Sequence, residues 1–302
     1  MNPERRRLLQ GLGLALCLPA LPAAAAPAPL RKPIPASGER LPAIGLGTWI
    51  TFDVGGDMIA RAERLKVLQG FFEGGGSLVD SSPMYASSED VIGWCLKRLP
   101  QKPPLFAATK VWTWGRALGV RQMEASRRFW GLPRFDLMQI HNMLDWQTHL
   151  ETLQAMKAEG RIRYIGITTS HGRRHEELEA AMRAFRFDFV QFTYNLDDRE
   201  AEARLLPLAL ERGSAVIANR PFQGGNLFGR VRGKPLPPWA REIDCDNWAQ
   251  YFLKFIIAHP AVTCAIPATS KVTHLQENMG ALYGRLPDAE LRQRMARHFA
   301  TL

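Results

Sequence analysis

The sequence predicts an α/β protein, a single (β/α)8 TIM barrel over residues 29–302 with a small N-terminal β-hairpin. Two observations carry that prediction. Eight segments of four to six mostly apolar residues fall at 43–48, 77–80, 105–110, 136–140, 162–167, 189–192, 215–218 and 263–266, and the stretches between them show helical spacing. Strands apolar on both faces and alternating with helices make parallel units, and eight of them in this length favour a closed barrel over an open doubly wound sheet. The second observation is chemical: Asp80, Lys110 and His141 stand at the C-terminal ends of three successive strands, the rim where barrels of this kind carry their reactive groups.

From the N-terminus, Glu4-Arg5-Arg6-Arg7 opens a positive stretch, Gly11 to Leu21 is apolar, and Ala23 to Ala26 offers small-residue cleavage sites. This is the pattern of an export signal, expected over residues 1–28. The arginines followed by Leu8-Leu9 resemble the twin-arginine type, an address rather than an anchor. The apolar run is too short to span a bilayer comfortably. The expected partner is therefore the twin-arginine translocase, and the expected location the periplasm, reached by a chain already folded. Three Arg and one Glu leave with the signal, so the remaining chain keeps about +8 of the formal +10. That charge is spread along the chain, which argues against nucleic-acid binding. Cys95, Cys245 and Cys264 form no close pair, so neither a disulfide framework nor a zinc site is expected.

Residues 34–42 read as two short arms around Ser37-Gly38, a hairpin ahead of the barrel. Residues 43–48 are the first buried strand. Met58, Ala62, Leu65, Leu68 and Phe72 recur at spacings of three and four, an amphipathic helix stopped by Gly74-Gly75-Gly76. Residues 77–80 form a strand that ends in a carboxylate. Pro83 then enforces a loop, and Ser87 and Ser88 with Glu89 and Asp90 supply an N-cap and an acidic first turn. Later helices show themselves at Leu150-Leu153-Met156, at Leu205-Leu208-Ala209 and from Asp288 to Phe299. No strand is followed by G-x-G-x-x-G, so no Rossmann-type dinucleotide site is expected.

An acid and a phenol five residues apart, Asp80 and Tyr85, join a lysine after the next strand and a histidine after the one following. Reduction of a carbonyl by hydride leaves an alkoxide, so such a site needs a proton donor and a dipole on the carbonyl oxygen. Tyr85 suits the donor. Lys110 stabilises its phenolate and so makes the proton easier to give, Asp80 holds Lys110 charged and aimed, and His141 orients the carbonyl.

At these four positions the sequence resembles the aldo-keto reductase family, whose Asp and Tyr follow the second barrel strand, Lys the third and His the fourth. The resemblance implies an extended nicotinamide dinucleotide over the rim, NADPH with NADH as the other possibility. It would lie near Thr48 and Trp49, against Asp80, with Thr168 and Thr169 standing where the family commonly has Ser-Asn, and Gln191 matching the family glutamine on the carboxamide. Asn219-Arg220-Pro221-Phe222 replaces the common Tyr-Ser-Pro-Leu, so the aromatic that stacks on the nicotinamide is missing there, with Phe222 or Trp49 as substitutes. Thr269-Ser270-Lys271 with His274, Glu277 and Asn278 resembles the adenosine-phosphate segment. His274 aligns with the usual 2′-phosphate arginine, and Lys271 offers charge without a bidentate fork.

Trp112, Trp114 and Trp146 follow strands and would wall an apolar pocket; with no long C-terminal loop to cover it, the site is expected to be open to broad or bulky substrates. Two other readings stand beside a carbonyl reductase. One is an exported nicotinamide-binding sensor or redox partner with little turnover. The other is a lyase or epimerase using Lys110 and Asp80.

Overall fold

The computed structural model describes residues 28–302, so the expected export signal lies, but for its last residue, outside the described residues. After an antiparallel hairpin of β1 (Arg31–Pro33) and β2 (Arg40–Pro42), eight strands follow: β3 (Leu46–Gly47), β4 (Leu78–Asp80), β5 (Phe106–Val111), β6 (Phe135–Ile140), β7 (Ile162–Thr168), β8 (Phe189–Thr193), β9 (Ala215–Asn219) and β10 (Val262–Ala265). All eight neighbours are parallel and in chain order. Closure comes from parallel bridges between Ile44 and Ala265 and between Gly47 and Ala268. The seam needs glycine, because a Cβ at Gly47 would lie 2.8 Å from the Ile266 carbonyl oxygen and one at Gly45 2.9 Å from that of Leu78.

Two apolar layers result. The inner one fills the barrel with residues of alternate parity along the strands, among them Phe106, Tyr164 and Phe189, whose rings pack at 5.5–5.9 Å. Each such fully buried ring stabilises the fold by roughly 1.5–3 kcal/mol. Ile34 and Leu41 of the hairpin region close this layer from below. The second arm falls within the expected 34–42 stretch but the first precedes it, because Ile34 to Glu39 is itself the turn, with Ile34 N–H donating to the Glu39 carbonyl. Lys32 pins the plug, its Nζ donating to the carbonyls of His259 and Val262 at 2.9 and 2.8 Å.

The outer layer lies between strands and helices. Helix α1 (Met58–Glu73) begins at Asp57, whose carboxylate accepts from the Ile59 and Ala60 N–H groups. Of the expected stripe, Leu68 is buried with Val67 and Phe71, Leu65 and Phe72 pack partly buried against the same core, and Met58 is 58% exposed. Helix α2 (Ser88–Leu96) also departs from expectation. Ser87 sits at its N-cap, but its hydroxyl turns to the loop after β3, donating to Asp53 Oδ1 at 2.6 Å and accepting from Gly55 N–H. Glu89 points inward and accepts from Thr109, Ser126 and Trp130 at 2.6, 2.7 and 3.3 Å, tying α2 to β5 and to α3 (Arg116–Trp130). Helices α4 (Trp146–Ala158), α5 (His175–Ala184), α6 (Leu205–Arg212), α7 (Asn226–Arg230), α8 (Trp248–Ile257), α9 (Val272–Gly280) and α10 (Ala289–Ala300) complete the outer ring. Among the described residues no helix is long and apolar enough to cross a membrane.

Candidate active site

Strand register assembles the site. Asp80 pairs with Ala108, Ala108 with Leu137, and Lys110 with Gln139, so Asp80, Lys110 and Gln139 share the inward face by the two-residue period of strands. Lys110 is fully buried; its Nζ donates to Asp80 Oδ2 at 2.5 Å and to the Ser81 carbonyl at 2.8 Å. The other carboxylate oxygen, Oδ1, accepts from Gln139 Nε2 at 2.8 Å and Gln191 Nε2 at 3.1 Å. Beyond them Asn219 donates to the Thr169 carbonyl and accepts from Thr193. The floor of the barrel mouth is thus one connected polar network, a condition for burying charge without a large penalty.

Burial is the largest influence on the Lys110 ammonium and works against it, yet Asp80 and then Tyr85 outweigh it and raise its pKa. Lys110 is therefore charged at neutral pH. Its Nζ lies 5.2 Å from the centre of the Tyr85 ring. From the sequence, the only influence visible on Tyr85 is the pull of Lys110 toward phenolate. In the structure burial of the phenol is larger and raises it, Lys110 pulls it back, and Asp80 raises it again, for a net rise. The phenol keeps its proton, as a donor must. His141 stands edge-on to Tyr85, ring centres 5.7 Å apart, and is held neutral by burial first and by Lys110 second.

Asp80, Tyr85 and His141 open onto one cavity of about 990 Å³, with Lys110 buried behind them. Of the positions expected to hold a dinucleotide, Thr48, Trp49, Asp80, Thr168, Thr169, Gln191, Asn219, Arg220, Pro221, Phe222, Thr269, His274, Glu277 and Asn278 line it. Ser270 and Lys271 do not; Lys271 is exposed at the N-terminus of α9. Phe222 already packs on Phe228 at 4.9 Å, and Trp49 meets His171 edge-on at 6.5 Å. None of the three tryptophans expected to wall the pocket lines this cavity: Trp112 lies 6.5 Å from the His141 ring but outside the lining, Trp114 is 66% exposed, and Trp146 packs against the outer core.

Gln139, and His171 and Arg173 beside Arg220, do not stand out in the sequence as site residues. For Gln139 the signal emerges only with strand register, which puts this polar side chain on the inward face of a buried strand. His171, Arg173 and Arg220 all line the cavity. Burial holds the His171 imidazole below its usual range, and the two guanidiniums push it further down, so this wall is electropositive. The Arg220 Nε is buried there without a partner among the described residues. Both features fit the diphosphate of a dinucleotide.

A barrel whose rim joins a protonated phenol, a neutral imidazole and a buried ammonium–carboxylate pair beside such a cavity is an oxidoreductase of the carbonyl–alcohol type. The chain belongs to the aldo/keto reductase family, whose model matches residues 43–295. It is 29% identical over 269 residues to the methylglyoxal reductase YeaE of Escherichia coli, covering 86% of this chain and 93% of the relative. An NADH-specific methylglyoxal reductase of the same organism is 25% identical over 254 residues, 69% of this chain and 72% of the relative. An aldo-keto reductase from Klebsiella pneumoniae, solved in complex with NADPH, superposes with a TM-score of 0.72 at 26% identity, covering 91% of this chain and 95% of that one.

Proposed function

We propose that this chain catalyses the reversible, NADPH-dependent reduction of an aldehyde or ketone, with Tyr85 as proton donor. The single observation that carries this reading is the buried Lys110–Asp80 pair set beneath a phenol that keeps its proton. Bound nicotinamide supplies the hydride. Thr168, Thr169, Gln191 and Asn219 would hold the carboxamide end, Arg220 the diphosphate, and His274, Glu277 and Asn278 the adenosine end. The Tyr85 hydroxyl and His141 then converge on the substrate oxygen, one giving a proton and the other a hydrogen bond, while Lys110 eases the charge left on Tyr85. Methylglyoxal, named for the Escherichia coli relatives, is the first carbonyl to assay. Multiple turnovers of NADPH are the expected result. Tight binding of nucleotide with a single turnover at most would favour the sensor or redox-partner reading instead.

Preference for NADPH rests in this reading on Lys271, which stands outside the cavity lining at the exposed N-cap of α9 and would reach a 2′-phosphate from the rim, and more weakly on His274, which lines the cavity. Lys271→Ala is expected to raise the NADPH dissociation constant about tenfold, the loss of one charge-assisted hydrogen bond, and to spare NADH. Titration of both nucleotides by fluorescence decides this, since equal weakening would assign Lys271 to the fold or the shared diphosphate.

The proposed location is the periplasm, with export through the twin-arginine translocase. Arg5, Arg6 and Arg7 ahead of a short apolar run support it, and folding first would let the nucleotide be acquired before transport and retained by its own binding energy. Changing all three to Lys is expected to leave uncleaved, active enzyme in the cytoplasm. Fractionation that finds the variant cleaved in the periplasm would instead indicate the general secretory route.

A further inference from the structure

We infer that Ser82 is a positioning residue that locks His141 in the tautomer with its proton on Nε2, and so makes the imidazole a hydrogen-bond donor to the carbonyl oxygen. The inference rests on the reductase reading for its consequence, though not for the tautomer. Ser82 is fully buried in the loop after β4, and its Oγ lies 2.8 Å from His141 Nδ1. The same Oγ accepts the Met84 backbone N–H at 3.1 Å. Among the described residues it has no other partner.

A hydroxyl owns one hydrogen. With the oxygen already accepting from Met84, the Ser82 hydrogen has a single acceptor within reach, the Nδ1 lone pair. The opposite arrangement, with Nδ1–H donating to Ser82, would leave a buried hydroxyl hydrogen with nothing to bond, an expensive state in an interior that otherwise pairs its polar groups. An imidazolium is excluded separately, because burial and the Lys110 ammonium both oppose a second charge at that place.

The consequence falls on the other side of the ring. His141 lines the cavity and its Nε2 takes no partner among the described residues, so the locked tautomer turns an N–H toward the place where a carbonyl oxygen meets Tyr85. The other tautomer would present a lone pair to that oxygen and repel it. The Met84 N–H takes one lone pair of the Ser82 oxygen and so helps to aim the hydroxyl hydrogen at Nδ1.

The test uses the full folded enzyme labelled with 15N-histidine, the His141 signals being assigned by their loss in His141→Gln. Wild type is expected to show an unprotonated Nδ1 and a protonated Nε2 across pH 6–8. Ser82→Ala is expected to give a tautomer mixture and to lower kcat/KM for carbonyl reduction at least tenfold, with the NADPH dissociation constant within a factor of two. Ser82→Thr, which keeps the hydroxyl, is expected to restore the single tautomer and most of the activity. A protonated Nδ1 in wild type overturns the proposal outright, whatever the variants do. So does a Ser82→Ala enzyme that keeps one Nε2–H tautomer and activity within twofold. Wild type with the expected tautomer and tautomer loss in Ser82→Ala, but no turnover of any carbonyl, would uphold the lock and defeat the reductase reading alone.

Discussion

Replacing Tyr85 with Phe is expected to lower kcat for carbonyl reduction by about 10²–10⁴, the usual worth of a positioned general acid, while the NADPH dissociation constant changes by less than about threefold. The asymmetry follows from where the hydroxyl acts. It gives a proton to an oxygen that becomes strongly basic only as hydride arrives, so its interaction belongs to the transition state and not to the bound nucleotide. Burial has already raised this phenol above the ordinary tyrosine range, and the pull of Lys110 only partly offsets it. Reduction should therefore hold level from pH 6 to 9, with its alkaline fall set above the pKa of a free phenol, about 10. Alcohol oxidation, which needs the phenolate, should rise with pH over the same range. Steady-state kinetics in both directions checks the assignment. A Tyr85→Phe enzyme within tenfold of the parent would take the acid role from Tyr85.

Much of this site is legible in the sequence, and the reasons are particular. The strands of a closed barrel are apolar on both faces, so a single Asp, Lys or His at the end of one interrupts the pattern visibly, as Asp80, Lys110 and His141 do. Gln139 lies inside such a strand, where one polar residue reads as noise until the register places it on the same face as Lys110. Ser82 is hidden for another reason. Its importance comes from two hydrogen bonds, one to a backbone N–H two residues on and one to a histidine 59 residues away, and spacing encodes neither partner. The seam between Ile44, Gly47 and the last strand is equally invisible, because ring closure is a property of eight strands together and not of any one. Glu89 misleads in the opposite direction. A carboxylate in a helix's first turn suits the dipole well enough to explain itself, yet this one turns inward to hold Thr109, the residue before Lys110.

Lys110→Met is expected to damage both stability and turnover, and the two losses separate with a second substitution. Removing the ammonium leaves Asp80 buried with two amide donors and no counter-charge. Breaking a buried pair in this way costs about 3–5 kcal/mol, a fall in thermal midpoint of roughly 5–9 °C for a domain of this size. Adding Asp80→Asn removes the stranded charge, so the double variant should recover most of that midpoint. Turnover should not return with it. In both variants the only influences that lower the Tyr85 pKa are gone, leaving a phenol that yields its proton less readily. The dependence on pH has a definite sign. The folded-state pKa of Lys110 is raised, so its contribution to stability is fully present below the unfolded lysine value of about 10.4 and is withdrawn as pH climbs through the folded-state value. Wild-type and Lys110→Met midpoints should therefore run parallel from pH 6 to 9 and converge only above that unfolded value. Thermal melts of the three proteins across that range, with kcat measured on the same samples, decide the matter. Recovery of turnover in the double variant would show that Lys110 serves only to neutralise Asp80 and has no part in tuning Tyr85.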